Sequence, residues 1–285
     1  MALTAFLITV FGLIFGSFLN VCIYRIPRAE NFYADEEPLD GSKPVEKPES
    51  ETPLKKFNEP ARSICPKCEN LLYWWHNIPV FSWVILRGKC WFCKEPISSR
   101  YIFVEVLTVL LALLTYNSFN LNITSIIIFF FCASLLVISF IDYDFFIIPN
   151  VITYPGFLIS LIIVGINQFL PIFQPPISHN LYMAFWGVLA GAGFLFFVSE
   201  VYLRLRKREG LGMGDVKLLA VTGALFGPEC ALYSIFLGSL FGSVLGLGAI
   251  LIGKKEFSQH LPFGPYLAVG TLVYLFYLFG SMHLL

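Results

Sequence analysis

Three aspartates stand at the ends of strongly apolar stretches: Asp142 and Asp144 in Phe140-Ile141-Asp142-Tyr143-Asp144, and Asp215 in Gly212-Met213-Gly214-Asp215-Val216-Lys217. Ionisable residues in such surroundings are costly and mark function by default. Two carboxylates held close together in a low dielectric do not both ionise easily. They share a proton, so that one acts as base and the other as acid. The base activates a water and the acid protonates the carbonyl or the leaving amine, which cuts a peptide bond. Asp142 and Asp144 lie about 200° apart on a helix, so one of them faces Asp215 more easily than the other. From spacing alone two further readings stand beside this one. The aspartates also suit solvated helix ends, or a relay for protons or a cation in a transporter.

A second kind of chemistry lies in the cysteines. Cys65-Pro66-Lys67-Cys68 and Cys90-Trp91-Phe92-Cys93 are separated by 21 residues. Two such knuckles can set four thiolates at the corners of a tetrahedron, as a structural zinc site requires. The alternative is two pairs without metal, loose or redox-active. The segment between them is too small to fold on its own core, so a metal staple suits it. Its aromatic residues, among them Trp74, Trp75 and Trp83, suit a mini-core, the membrane interface, or a share of each. His76 reads as a surface or core residue, because four cysteines already complete a site. Cys22, Cys132 and Cys230 sit in apolar runs as buried thiols.

The elements that carry these residues follow from composition. Of 285 residues 57% are apolar and 13% charged, and the mean hydropathy is +0.74. Soluble domains hold about 25% charged residues, so the chain reads as an all-α polytopic membrane protein. About eight spans are expected, near 2–24, 101–117, 124–142, 149–170, 181–203, 215–229, 230–252 and 262–283. The pair 215–229 and 230–252 suits a tight helical hairpin turning at Gly227-Pro228. The first run has no basic residue before it, and Arg25 and Arg28 follow it. It is therefore a membrane helix rather than a cleavable signal, with the N-terminus outside. Threaded from there, all 19 basic residues fall on the cytoplasmic side or at its helix ends. Asp142 and Asp215 then share one depth, at the cytoplasmic face.

Three parts are expected: a first transmembrane helix over 1–24, a cytoplasmic insert with the zinc knuckles over 25–100, and the remaining membrane domain over 101–285. Within the insert, 28–60 is rich in proline and charge and reads as an extended linker. Glu200 is expected to pair with the basic run Arg204 to Arg208, and Glu105 with Arg100 or another cation. Glu229 lies at an outside turn. Lys217 either holds an aspartate charged or reaches the headgroups. The net charge is zero, so no nucleic-acid partner is expected.

Taken together and in order, these blocks resemble the type IV prepilin leader peptidases of bacteria, which belong with the GxGD membrane aspartyl proteases. The resemblance runs over nearly the whole chain. It includes Gly16-Ser17-Phe18-Leu19-Asn20 through Arg25-Ile26-Pro27, Arg62 to Cys68, Asn77 to Trp83, Leu86 to Cys90, Arg100-Tyr101 to Glu105, Ile141-Asp142, Ile148-Pro149-Asn150, the Gly212 to Lys217 block and Pro262-Phe263-Gly264-Pro265. It implies that Asp142 and Asp215 are the catalytic pair and that Asp144 is a secondary acid. Asn150 departs from the family, where many members have an acid. The resemblance further implies cleavage of the short basic leader of type IV prepilins and pseudopilins at the cytoplasmic face of the bacterial inner membrane, in pilus or type II secretion systems. Methylation of the new N-terminal amine from S-adenosylmethionine would follow, with zinc as a structural ion. The insert contains no glycine-rich strand–helix fingerprint for the nucleotide. Asn20, Arg25, Arg87 and Gly88 are the candidates for the methyl donor. A protease alone, with the insert as a substrate-docking module, is the first alternative, and the transporter the second.

Overall fold

The computed structural model describes residues 2–29, 62–65, 67–207, 211–251 and 262–278. Most of the expected linker over 28–60, together with Arg208, Lys254 and Lys255, lies outside the described residues. The described architecture is all-helical, with isolated bridges at the cysteine knuckles in place of strands. The chain forms two compact units, residues 1–114 and 115–285.

The first unit holds α1 (Ala2–Arg25), a short α2 (Phe81–Ile85) and most of α3 (Arg100–Phe119). Helices in lipid gain nothing from hiding apolar surface from one another, so they pack where small residues let backbones approach. Gly12 and Gly16 of α1 do this against α3. A methyl group on Gly12 would stand 2.9 Å from the Val109 Cα, and one on Gly16 would stand 2.7 Å from the Glu105 Cα.

The second unit holds α4 (Ile123–Phe145) and α5 (Asn150–Phe169), then α6 (Leu181–Val188), which runs through a π turn at Leu189–Gly193 into α7 (Phe194–Arg206). After these come α8 (Met213–Leu251) and α9 (Gly264–Val273). Asn122 starts α4 with a reciprocal cap: its side chain accepts the Ser125 N–H at 2.8 Å, and the Ser125 hydroxyl accepts the Asn122 N–H at 3.1 Å. Asn180 caps α6 one way, its side chain accepting the Met183 N–H at 2.9 Å. Among the described residues six helices are long and apolar enough to cross a membrane, and Gly264–Tyr277 is a shorter apolar one.

One of the six, α8, is not straight. At Gly227 the backbone leaves the helix (φ 84°, ψ −176°), a conformation that glycine adopts without a Cβ penalty, and Pro228 follows. The chain reverses there. A methyl group on Gly191 would stand 3.2 Å from the Leu219 carbonyl and 2.9 Å from the Ala231 Cβ. In an unbroken helix those two residues would lie about 18 Å apart. The hairpin expected at Gly227-Pro228 is therefore present. Its first arm crosses α6 at Gly187 and Gly223, where the two backbones meet with no room for side chains. Its second arm meets α9 through Gly238 and Gly270 and through the Ser234–Thr271 hydroxyl pair at 2.8 Å.

Candidate active site

Asp142 occupies the last turn of α4. The helix stops because Phe146 takes a left-handed conformation (φ 57°) and gives its N–H to the Asp142 carbonyl at 2.8 Å. Ile147 and Ile148 then bury, and Pro149 opens α5. Asp215 lies in the first turn of α8, its N–H 3.2 Å from the Gly212 carbonyl. The two carboxylate residues are 5% and 7% exposed.

A third helix end joins them. Gly264 is the first residue of α9, where N–H groups have no partner within the helix. It donates its N–H to Asp142 Oδ2 at 2.9 Å. A methyl group at Gly264 would stand 2.7 Å from that oxygen and 3.3 Å from Ile148 Cδ1. The same isoleucine abuts the Gly-x-Gly-Asp turn: a methyl group at Gly214 would stand 2.8 Å from Ile148 Cβ. One at Gly212 would stand 3.4 Å from Asp215 Oδ2. Ile148 thus bridges the neighbours of both aspartates, and glycines at 212, 214 and 264 leave the space the carboxylates and this side chain fill. Two buried carboxylates so placed can hold one proton between them and polarise a water.

The other expected residues divide. Asp144 is exposed, on a different side of α4 from the buried Asp142, as the 200° offset requires. Lys217 turns to α5 rather than to an aspartate. Its ammonium donates to Asn150 Oδ1 at 2.7 Å and sits 5.2 Å from the centre of the Tyr154 ring. Glu200 pairs with Arg204 at 2.7 Å, as expected. Glu105 is buried, and its Oε2 accepts the Val80 backbone N–H at 2.8 Å. Glu229 accepts from the Tyr274 hydroxyl at 3.3 Å. Of the candidates for a methyl donor, Asn20 gives its amide to the Tyr101 carbonyl at 3.0 Å. Gly88 is buried beneath Trp83, and Arg87 is exposed.

Cys65, Cys68, Cys90 and Cys93 converge, with all four sulfurs within 4.8 Å of one another and Cys65 and Cys93 at 3.8 Å. Four sulfurs about 2.3 Å from one ion have edges of about 3.8 Å, so this donor set fits a tetrahedral thiolate metal. The knuckles repeat one loop. In each, the first cysteine gives its N–H to the carbonyl five residues on, at Asn70 and Glu95. Its own carbonyl accepts the N–H four residues on, from Glu69 and Lys94, both with positive φ. Burial pushes the Cys65 thiol up, whereas the backbone and side-chain amides of Asn70 draw Cys68 down to about 6. His76 is a buried residue of the aromatic cluster with Tyr73, Trp91 and Phe92.

Sequence reading did not foresee the Gly264–Asp142 bond or the part played by Ile148. The available signal for the first was Pro265, which suits the first turn of a helix and so placed a helix start there.

Residues 10–119 match the model of the bacterial peptidase A24 N-terminal domain, and residues 129–247 match that of the type IV leader peptidase family. A prepilin leader peptidase/N-methyltransferase of Burkholderia pseudomallei is 34% identical over 270 residues, covering 94% of this chain and 84% of that protein. Proteins of the same name from Aeromonas salmonicida and Pseudomonas aeruginosa are 32% and 33% identical, covering 92% and 90% of this chain and 87% and 85% of theirs. No solved structure matches significantly. With both halves matched in order and relatives alike along nearly its whole length, this chain belongs to the type IV leader peptidase family.

Proposed function

We propose that this protein removes the basic leader of type IV prepilins and pseudopilins and then methylates the new N-terminus. The observation that supports the first step is that both aspartates are buried at helix ends beside Ile148, Asp142 held by the Gly264 N–H and Asp215 following Gly214, which abuts that isoleucine. One aspartate, ionised, takes a proton from a water as that water attacks the scissile carbonyl. The other, protonated, gives its proton to the departing amine. The Gly264 N–H fixes the Asp142 carboxylate, and Ile148 supplies an apolar wall. Methyl transfer needs the product amine deprotonated and in line with the donor methyl, which S-adenosylmethionine supplies. The names of the relatives support both activities.

The membrane arrangement is eight crossings, with α8 counted as two arms and α9 as one. The N-terminus is outside, and the cut lies at the cytoplasmic face, as the placement of the basic residues indicates. The four thiolates hold a structural zinc ion. The transporter reading is set aside, because peptidase models match both halves of the chain.

The test is processing of a prepilin-like substrate by the purified protein, with and without S-adenosylmethionine, reading cut site and terminal mass together. Asp142→Asn and Asp215→Asn should each lower cutting by about a thousandfold or more while leaving the protein inserted. Normal cutting by both variants would remove the dyad. A product cut correctly but never gaining the mass of a methyl group would leave a protease alone.

A further inference from the structure

Among its described residues the insert leaves an apolar face exposed next to a membrane helix. Phe81, Val84 and Ile85 lie at i, i+3 and i+4 of α2, one face of a helix, and are 62%, 59% and 69% exposed. The other side of α2 is spoken for. Trp83 packs over Gly88 and donates its indole N–H to the Ile97 carbonyl at 3.1 Å. The neighbouring 3-10 turn, Trp74–Asn77, leaves Trp74 79% exposed.

The depth of this face is set by Glu105. The Val80 N–H at the start of α2 is held by Glu105 Oε2 at 2.8 Å, and Val80 takes a positive φ of 60°, unusual for a β-branched residue. Glu105 lies five residues into α3, about 7.5 Å along the helix from Arg100. Helical side chains lean toward the N-terminus, so Val80 sits shallower than the Glu105 Cα. That is the level, about 5–10 Å in, at which interfacial helices rest. The charge around the face matches as well. From Asn70 to Lys94 the sequence contains no Asp or Glu, while Arg87 and Lys89 follow α2 directly and are exposed.

We propose that the Phe81–Val84–Ile85 face of α2 rests in the anionic headgroup layer of the membrane that α3 crosses, and that Glu105 pins it there. The cysteine module is then a surface-bound plate rather than a free cytoplasmic domain. The proposal depends on α3 crossing the membrane, not on the aspartate dyad.

The test places a fluorescent coumarin-bearing amino acid at position 84 of the full-length, zinc-loaded protein in phosphatidylethanolamine/phosphatidylglycerol vesicles. Lipids brominated near the headgroup should quench the probe roughly twofold more than lipids brominated near the chain ends. The same probe at position 95, on the second knuckle, should be quenched by neither. Glu105→Ala should weaken the shallow quenching, whereas Glu105→Gln, which keeps an acceptor oxygen, should retain it; metal content reports that the module is still folded. Three results would overturn the proposal: no quenching at position 84, stronger quenching from the chain ends, or quenching displaced by an added prepilin-like peptide. The last would make the face a substrate dock.

Discussion

Gly264→Ala tests the site without touching an aspartate. The new methyl would stand 2.7 Å from Asp142 Oδ2, where ordinary contact begins at about 3.4 Å. It cannot slide aside, because Ile148 Cδ1 stands 3.3 Å from the same point. The backbone itself accepts alanine, since Gly264 has no left-handed φ and opens a helix. The carboxylate must therefore retreat, and the 2.9 Å bond from the Gly264 N–H stretches or breaks. A hydrogen bond to a charged group contributes about 1.5–3 kcal/mol, which is about 10- to 150-fold in rate. Displacing a reacting group by about 1 Å has a similar cost, near a hundredfold. Purified Gly264→Ala enzyme should thus cut a prepilin-like peptide in detergent micelles with kcat down by about a hundredfold and KM nearly unchanged. Gly165→Ala, with nothing within 4 Å, serves as the silent control. Adding Ile148→Val to Gly264→Ala removes one wall and should recover part of the rate. Cutting by Gly264→Ala within about threefold of the parent would refute the reasoning, for the contact would then not hold the reacting carboxylate.

Further outcomes are expected. Cys68→Ser removes one of four converging sulfurs and should lower bound zinc well below one ion per chain by mass spectrometry of the purified protein, with leader cleavage less affected than the insert's own stability. Gly187→Ala forces a methyl into the Gly223 backbone and should lower thermal stability by about 1–3 kcal/mol or more, read as a shift in the melting temperature in detergent. Lys217→Met loses the 2.7 Å bond to Asn150 and the contact with Tyr154. Because the ammonium does not touch an aspartate in the structure, cutting should fall by no more than about tenfold.

Local rules carried a large part of this molecule. The cysteine spacing anticipated a cluster, because two knuckles bring their sulfurs together through short-range turns. The break at Gly227-Pro228 was legible too, since glycine followed by proline interrupts an apolar run that is too long for one crossing. What stayed hidden depends on contacts between distant segments. Nothing in the sequence near Asp142 points to Gly264, 122 positions away, because the donor is a backbone N–H that every residue but proline has. Glu105 was expected to seek a cation and instead takes the Val80 N–H. A carboxylate satisfied by the main chain leaves no trace in side-chain pairing. The repeated loop of the knuckles was masked because Cys65–Asn70 and Cys90–Glu95 share little beyond their cysteines.

The candidate site is made where helices end, which places heavy demands on how those helices slide past one another. Asp142 closes α4, Asp215 opens α8 and Gly264 opens α9, so a shift of one residue along any axis, about 1.5 Å, would separate the groups. Apolar side chains in lipid do little to resist such a slide. The resistance comes from crossings that admit a single register. Gly187 and Gly223 lock the first arm of α8 two turns beyond Asp215. The Ser234–Thr271 pair, with Gly238 and Gly270, locks the second arm against α9. Each lock forms where backbones touch or hydroxyls pair, and a displaced neighbour offers neither. The geometry of the two carboxylates is thus set by residues that never meet them, and substitutions there should cost activity in proportion to the slide they permit.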